Sequence, residues 1–400
     1  MKKIALLYFL PLFIALITVF YLSQNRDINA ALFQEENAVL PDLHRPFIEN
    51  FRDNKAYEDL FLRPDSVETI YILGSSELTE SSDALPYNFI SSHFSTPLHG
   101  IGHAGNQCFS IYNQLLANEQ KLKDAHIIII LSPGWFESKS SRGTTSPLFL
   151  EFNSDNFLNR ILSATPQTDF HEYAYKRVSD FYAEFNSPSL ELKLMNFRHQ
   201  SSKSFIHCAL YAPLIGIDNY LLKQKKQLLR SHYTPDVLVQ HQAITPEHIH
   251  INWDSLATTS KAEVVKKVTN NSLGIADDYY TQYIHGKTGR MDAVKPSLNQ
   301  ELEDCNRLID LLHAKHVNAS FIISPLNPLY YKNLKDIEPT IQLVEDKLKQ
   351  NGFPYLNLFT TDTTQYEKAI LHDVMHLSDY GWNMVNRFIA DTYKLSNENN

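Results

Sequence analysis

Short apolar runs separated by amphipathic stretches set the pattern of this chain. Five runs predict β-strands, at residues 69–73, 96–100, 125–131, 319–323 and 355–358. The third run contains four consecutive isoleucines, which is typical of a strand buried on both faces. Amphipathic helices are predicted at residues 107–124, 298–316, 340–351 and 379–393. This alternation favours an α/β fold, a parallel sheet with helices on both faces.

The alternation stops between about residues 138 and 295. There the apolar positions follow a helical period, most clearly at 217–229 and 261–268. The segment 270–280 contains paired asparagines and Gly274, which suit a helix C-cap and a turn. The sequence therefore predicts one sheet interrupted by a large, mostly helical insertion.

The amino terminus has the pattern of a single transmembrane helix. Lys2 and Lys3 precede about nineteen uncharged, largely apolar residues, enough to cross a bilayer. A cleaved signal peptide is the alternative, but its apolar stretch is usually shorter, and no good small-x-small cleavage site follows. We expect a single-pass anchor in the cytoplasmic membrane at 1–23, a connector at 24–64 and an extracytoplasmic domain at 65–400.

Composition narrows the classes of function. Of the 400 residues, 43% are hydrophobic and 12% are aromatic, so the chain can bury a sizeable core and is not of the disordered type. The net charge of −9 offers no basic surface, so nucleic acid is not an expected partner. Cys108, Cys208 and Cys305 are isolated, which argues against a zinc ribbon or a disulfide framework. No cofactor is predicted.

Candidate chemistry begins at the end of the first predicted strand. Gly74 permits a sharp turn there, and Ser75 and Ser76 follow it, at the strand end where α/β sheets place their reactive groups. A serine hydroxyl becomes a useful nucleophile when an imidazole accepts its proton. The alternative is that one of these serines only caps a following helix.

A candidate base lies near the other end of the chain. His376 follows Asp373 by three residues, and a carboxylate beside an imidazole fixes its tautomer and stabilises the imidazolium. A strand-end serine, with Asp-x-x-His just before the last helix, is the arrangement of SGNH or GDSL hydrolases. A metal enzyme is the alternative, since His99 and His103, and His372 and His376, are four apart. Both segments are predicted to be loops, so no metal is expected.

An acyl-transfer site also needs hydrogen-bond donors for the negatively charged oxygen of its intermediate. The glycine-rich loop after the second strand is predicted to reach the same sheet edge as the serine. Its candidate donors are the backbone N–H groups of Gly102 and Gly105 and the side-chain amides of Asn106 and Gln107. An ordinary strand-to-helix turn is the alternative for this loop.

Taken in order, these motifs resemble the DltD family over nearly the whole chain. The shared features are the amino-terminal anchor, Gly74-Ser75-Ser76-Glu77-Leu78, Gly102-His103-Ala104-Gly105-Asn106-Gln107, Ser132-Pro133-Gly134-Trp135-Phe136, the segment 270–280, and Asp373-x-x-His376-Leu377-Ser378 with Gly381-Trp382. The chain departs from the family pattern at Gly134, where glutamine is usual, so any contact of that glutamine is in doubt here.

The resemblance implies an SGNH-hydrolase-like (flavodoxin-like) fold with Ser76 as nucleophile, His376 as base and Asp373 as its orienting acid. Ser75 is the rival nucleophile. The implied function is a membrane-anchored serine acyltransferase or esterase in D-alanylation of teichoic acid or a related cell-envelope polymer. The implied partners are a membrane-bound O-acyltransferase, a D-alanyl carrier protein and the polymer acceptor. The alternative is a non-catalytic accessory protein that binds carrier or polymer and positions it for the acyltransferase.

Overall fold

The structure is a computed structural model. It describes residues 47–48, 61, 69–94, 96–139, 143–145, 149, 153, 166–184 and 251–395, with five further residues between 157 and 164. The chain divides into two compact units, one of residues 41–154 and 238–400 and the other of residues 1–40 and 155–237. All described strands belong to the first unit.

A six-stranded parallel sheet lies at the centre of the first unit. The described part of the chain has eight strands, six in this sheet and two in a separate pair. They are β1 (Phe47–Ile48), β2 (Ile70–Gly74), β3 (Leu98–Gly102), β4 (His126–Leu131), β5 (Gly289–Arg290), β6 (Asn318–Ile323), β7 (Tyr331–Lys332) and β8 (Tyr355–Asn357). The sheet order is β1-β3-β2-β4-β6-β8, while β5 and β7 form a separate parallel pair. Without the outer strand β1, the order β3-β2-β4-β6-β8 is that of flavodoxin-like doubly wound sheets.

The five strands predicted from apolar runs are confirmed, with small shifts at their ends. In β4 the side chains of Ile127 to Ile130 are fully buried, as expected for a central parallel strand. The second predicted strand, 96–100, is β3 at Leu98–Gly102, two residues further along the chain. Its register with β2 pairs Ile70 with Leu98 and Gly74 with Gly102. Both strands therefore end at a glycine on the same edge of the sheet.

In the described part of the chain, the helices of eight or more residues are α1 (Pro86–His93), α2 (Cys108–Leu116), α3 (Asp169–Glu184), α4 (Trp253–Lys266), α5 (Gln300–Ala314), α6 (Glu338–Gln350) and α7 (Asp379–Thr392). The helix predicted at 107–124 is shorter than expected, since a separate 3-10 turn, Glu119–Lys121, follows α2. Side chains cap α5 and α7: Asn299 accepts from the Leu302 N–H, and Ser378 accepts from the Gly381 N–H.

Side chains of the sheet alternate between two apolar layers. Ile128 and Ile130 join a cluster with Trp382 of α7 and with residues of α1, and part of α4 packs against this cluster. Ile127 and Ile129 are equally buried and point to the opposite face, because successive strand residues alternate in direction. Helix α5 packs against both α2 and α6.

The predicted insertion contributes α3, which lies in the second unit, and α4, while residues 217–229 lie outside the described part of the chain. Helix α4 begins earlier than predicted, because the Asn252 side chain caps it by accepting from the Ser255 N–H. The prediction of Gly274 as a helix C-cap needs correction: α4 ends at Lys266, and Lys267 is its C-cap. Gly274 lies in a later turn with φ +76°, where Asn271 Oδ1 accepts its N–H at 3.1 Å.

The predicted anchor at 1–23 lies outside the described residues, as does nearly all of the connector at 24–64. Across the residues that the structure does describe, no helix has the length and apolar character needed to cross a bilayer.

Candidate active site

The turn that follows β2 presents Ser76. The strand ends at Gly74, and a 3-10 turn, Ser76–Leu78, starts two residues later. The buried Glu77 side chain folds back and accepts the Ser75 N–H at 2.7 Å, which closes the turn. Ser76 Oγ lies 3.0 Å from His376 Nε2. The predicted serine and the predicted base therefore lie within hydrogen-bonding distance of each other.

Asp373 and His376 lie in one tightly closed loop. An antiparallel bridge joins Leu371 and Leu377, and the His372 N–H donates to the His376 carbonyl at 2.9 Å. Asp373 Oδ2 lies 2.7 Å from His376 Nδ1, while its Oδ1 accepts the N–H groups of Met375 and His376, both at 2.7 Å. The Asp373 carboxylate thus orients both the ring and the backbone of His376.

The last part of the insertion supports this loop. Val374 is buried in a cluster with Ile275 and Ile284, and several tyrosines pack against that cluster. The Ala276 N–H donates to the His372 carbonyl at 2.9 Å, and the Asn327 N–H donates to the Val374 carbonyl at 3.1 Å. The segment 270–280, singled out from the sequence, therefore packs against and hydrogen-bonds to the loop that carries His376.

The electrostatics of the Asp373–His376 pair favour its charged form. For His376, burial acts to lower the pKa, but the hydrogen bond to Asp373 and the charges of Asp373, Glu80 and Glu77 outweigh it and raise the pKa to about 9. For Asp373, burial acts to raise the pKa, but hydrogen bonds from the His376 side chain and from backbone N–H groups hold it below its usual value.

Ser75 has different partners from Ser76. Its hydroxyl donates to the His103 carbonyl at 3.1 Å and accepts the Gly105 N–H at 3.0 Å. The Ser75 side chain is thereby tied to the loop after β3, whereas the Ser76 side chain faces His376. Of the two serines left open by the sequence, only Ser76 has an imidazole within hydrogen-bonding distance in the described part of the chain.

The loop from Gly102 to Gln107 braces the serine turn. A Cβ on Gly102 would lie 2.9 Å from the Gly74 carbonyl oxygen, so only glycine permits this approach of the two strand ends. The Gly105 N–H is engaged by Ser75, and the Asn106 amide donates to the Gly74 carbonyl at 2.9 Å. Gln107 is buried at the N-cap of α2. An oxyanion-binding role for these four residues stays a prediction.

Sequence reasoning missed two carboxyl groups beside the base. Glu77 lies inside a motif that was noted only for its serines, and burial raises the pKa of its carboxyl. Glu80 Oε1 lies 3.5 Å from His376 Nδ1, and its side chain is 27% exposed. No periodicity marks Glu80, because it reaches the site through a non-repetitive turn.

The metal alternative finds little support in the described residues. Their one group of three metal-ligating side chains is Glu80, Asp373 and His376, and its imidazole already faces Ser76 and Asp373. His99 is buried against the ring of Tyr71, and His103 lies in the loop after β3. Among the four histidines of the two pairs, only His376 belongs to this group, so neither pair lies in it as a pair.

The fold and this geometry define an α/β protein with a Ser–His–Asp constellation at the carboxyl edge of a parallel sheet, beside the switch point where the strand order reverses. Residues 48–394 match the model of the family described as "DltD protein". The chain belongs to the DltD family.

Curated relatives agree with this assignment. Protein DltD of Staphylococcus aureus (strain NCTC 8325 / PS 47) is 22% identical over 336 residues, which cover 81% of this chain and 80% of the relative. Protein DltD of Lacticaseibacillus rhamnosus is 20% identical, over 78% of this chain and 74% of the relative. Protein DltD of Bacillus subtilis (strain 168) is 23% identical, over 84% and 85%.

Proposed function

We propose that this protein is a serine acyltransferase or esterase of the SGNH type, with Ser76, His376 and Asp373 as its catalytic residues. The observation that carries the proposal is the continuous chain of contacts from Ser76 Oγ to His376 Nε2, at 3.0 Å, and from His376 Nδ1 to Asp373 Oδ2, at 2.7 Å. Each residue has the partner that its role requires.

The mechanism follows from these contacts. Ser76 Oγ attacks the carbonyl carbon of an acyl donor, and its proton passes to His376 Nε2. The tetrahedral intermediate collapses when the leaving group departs with that proton, which leaves an acyl ester on Ser76. A hydroxyl of the acceptor, or water, then attacks the ester carbonyl, gives its proton to His376 and releases Ser76. Asp373 keeps Nδ1 as a donor and stabilises the imidazolium in both halves.

The oxyanion would be held by backbone groups at the serine turn. The Ser76 N–H donates to no protein acceptor in the described part of the chain, so it is free for this use. The loop from Gly102 to Gln107, already tied to the turn through Ser75 and Gly74, would supply the further donors.

Membership of the DltD family supports a place in D-alanylation of teichoic acid or a related cell-envelope polymer. On this proposal the acyl group is D-alanyl, the acceptor is a polymer hydroxyl, and the partners are a membrane-bound O-acyltransferase and a D-alanyl carrier protein. The uncharged amino-terminal run supports a single-pass anchor at 1–23, with the domain at 65–400 outside the cytoplasmic membrane.

The test is intact-protein mass spectrometry of the full chain after exposure to a fluorophosphonate, which reacts with activated serines. We expect one adduct on the wild type, none on Ser76→Ala, and an adduct that persists on Ser75→Ala. Peptide mapping then locates the modified residue.

Two outcomes would contradict the proposal. An adduct that survives in Ser76→Ala would assign the nucleophile elsewhere. A well-folded wild type that never reacts, together with full D-alanylation in cells that carry Ser76→Ala, would favour the non-catalytic accessory protein.

A further inference from the structure

His376 faces two carboxylates at the same ring nitrogen. Asp373 Oδ2 lies 2.7 Å from Nδ1, and Glu80 Oε1 lies 3.5 Å from the same atom. Both acids are largely covered, since the exposed fraction of the side chain is 6% for Asp373 and 27% for Glu80. A Ser–His–Asp relay needs only one acid at this nitrogen. The second carboxylate is therefore not explained by the mechanism above.

Glu80 comes from a different element than Asp373. Glu80 follows the 3-10 turn that begins with Ser76. The same segment therefore places Ser76 at Nε2 of the His376 ring and an acid at Nδ1. The groups that face it are His376 and Asp373 from the closed loop, Glu77 from the same turn and Asp379 from the start of α7. The phenol of Tyr279, from the insertion, is also near enough to sense its charge.

We propose that Glu80 is a positioning residue which shares His376 Nδ1 with Asp373 and holds the protonated base in place during acyl transfer. This inference rests on the proposed catalytic role of His376. In the described part of the chain no hydrogen bond joins Glu80 to Ser76, and its one ion-pair partner is His376, so we assign it a role through the imidazole.

The charge state of Glu80 changes what it does to the base. Burial and the neighbouring acids raise its pKa to about 7, although His376 opposes that rise. When Glu80 is ionised, its charge adds to that of Asp373 and favours the imidazolium. When it is protonated, His376 loses one of its two carboxylate charges and gives up its proton more readily. Glu80 thus tunes the basicity of His376 around neutral pH.

The test is a pH titration of the His376 ring in the full chain with isotope-labelled histidine, in which the His376→Gln spectrum identifies the signal among seventeen histidines. In Glu80→Gln we expect the pKa of His376 to fall by about 1 pH unit, a tenfold loss of proton affinity. Glu80→Asp, which keeps the charge, should restore most of it. The pH at which fluorophosphonate labelling reaches half its maximal rate should move down in parallel.

Asp379→Asn is the matched control, because it removes one acid from the same neighbourhood without a contact to His376. An unchanged His376 titration in a folded Glu80→Gln protein, or an equal change in Glu80→Gln and Asp379→Asn, would overturn the inference. If Glu80→Gln does not fold, the same titration of Glu80→Ala decides, because that variant also removes the charge. The ring titration needs no reaction at Ser76, so a protein that titrates as expected but never labels would count against the proposed function alone.

Discussion

The two edges of the parallel sheet both carry histidines, yet in the described residues only the carboxyl edge combines a histidine with a serine and an aspartate in hydrogen-bonding distance. At the carboxyl edge a single imidazole, that of His376, lies between Ser76 and Asp373. At the amino edge an open cavity of about 550 Å³ is lined by His126, His313 and His316, together with Asp124 and the first residues of β6. The amino edge therefore also combines several imidazoles with an open cavity.

The difference lies in what each ring faces. In the described part of the chain, no histidine of the cavity belongs to a group of three metal-ligating side chains, and the one such group includes His376. His316 owes its position to helix α5: with φ +53° it follows the last turn, and the Val317 N–H bonds back to the Leu312 carbonyl. The partners of the imidazole, and not the mere presence of histidines, therefore distinguish the carboxyl edge.

The largest effect is expected from breaking the relay at the carboxyl edge. His376→Gln or Asp373→Asn should lower the rate of fluorophosphonate labelling about 10³- to 10⁴-fold, because the serine proton loses its acceptor or the ring loses its tautomer. His313→Gln at the amino edge should leave the rate unchanged. Equal losses at both edges would remove the distinction between them.

The pH dependence of labelling sharpens the same comparison. Because His376 accepts the serine proton only when neutral, and its pKa is raised to about 9, the wild-type rate should climb as pH rises and level off near 9. The raised pKa also stabilises the fold below the ordinary value of about 6.5. That contribution should fade as pH rises through 9. A rate that levels off near 6.5 would show that the acids around His376 do not act on it.

Alanine at one glycine on each edge separates site geometry from stability. Gly102→Ala should cost about 1–3 kcal/mol, since its Cβ meets the Gly74 backbone, and should slow labelling about 10²-fold by moving the serine turn. Gly352→Ala at the amino edge has open space but φ +72°, so it should cost about 1 kcal/mol and leave labelling intact. Thermal unfolding and labelling measured on both variants check this; slowed labelling in Gly352→Ala would contradict it.

The smallest expected effect is a gain in folding stability from a substitution at the amino edge. His316→Gly should stabilise the protein by about 0.5–1 kcal/mol, because glycine adopts this left-handed conformation without strain. Chemical denaturation measures the gain. A loss of stability, or any change in labelling, would mean that the His316 ring has a role beyond ending α5.

The sequence predicted five of the six strands of the sheet, but not β1, and it singled out the three residues that the structure brings together. The isoleucine run of β4 and the apolar runs of β2 and β6 are strong signals, because central parallel strands are buried on both faces. Ser76 could be recognised because it follows the end of a predicted strand. Asp373 and His376 could be recognised because they are three residues apart. Helix α1 was missed, and α4 was predicted too short, since only the Asn252 side chain marks its start.

The rest of the site depends on contacts between distant segments. The tie between Ser75 and Gly105, and the approach of Gly102 to Gly74, follow from the register of β2 with β3, which has no signature in either segment alone. The same holds for Glu80, whose nearness to His376 needs two loops from opposite ends of the domain. The catalytic roles of the triad and the oxyanion loop stay predictions until the labelling experiments are done.

The contact between Ser76 and His376 spans 300 residues of chain. A ribosome that has just added the serine needs roughly 15–60 s more to reach the histidine, at ordinary rates of synthesis. On the proposed mechanism, Ser76 lacks the imidazole of His376 throughout that interval, so we expect an unfinished chain to resist acylation by donors it encounters. Reactivity at Ser76 is therefore a late event in the life of each molecule, and its appearance during synthesis would report the moment at which the two ends of the domain come together.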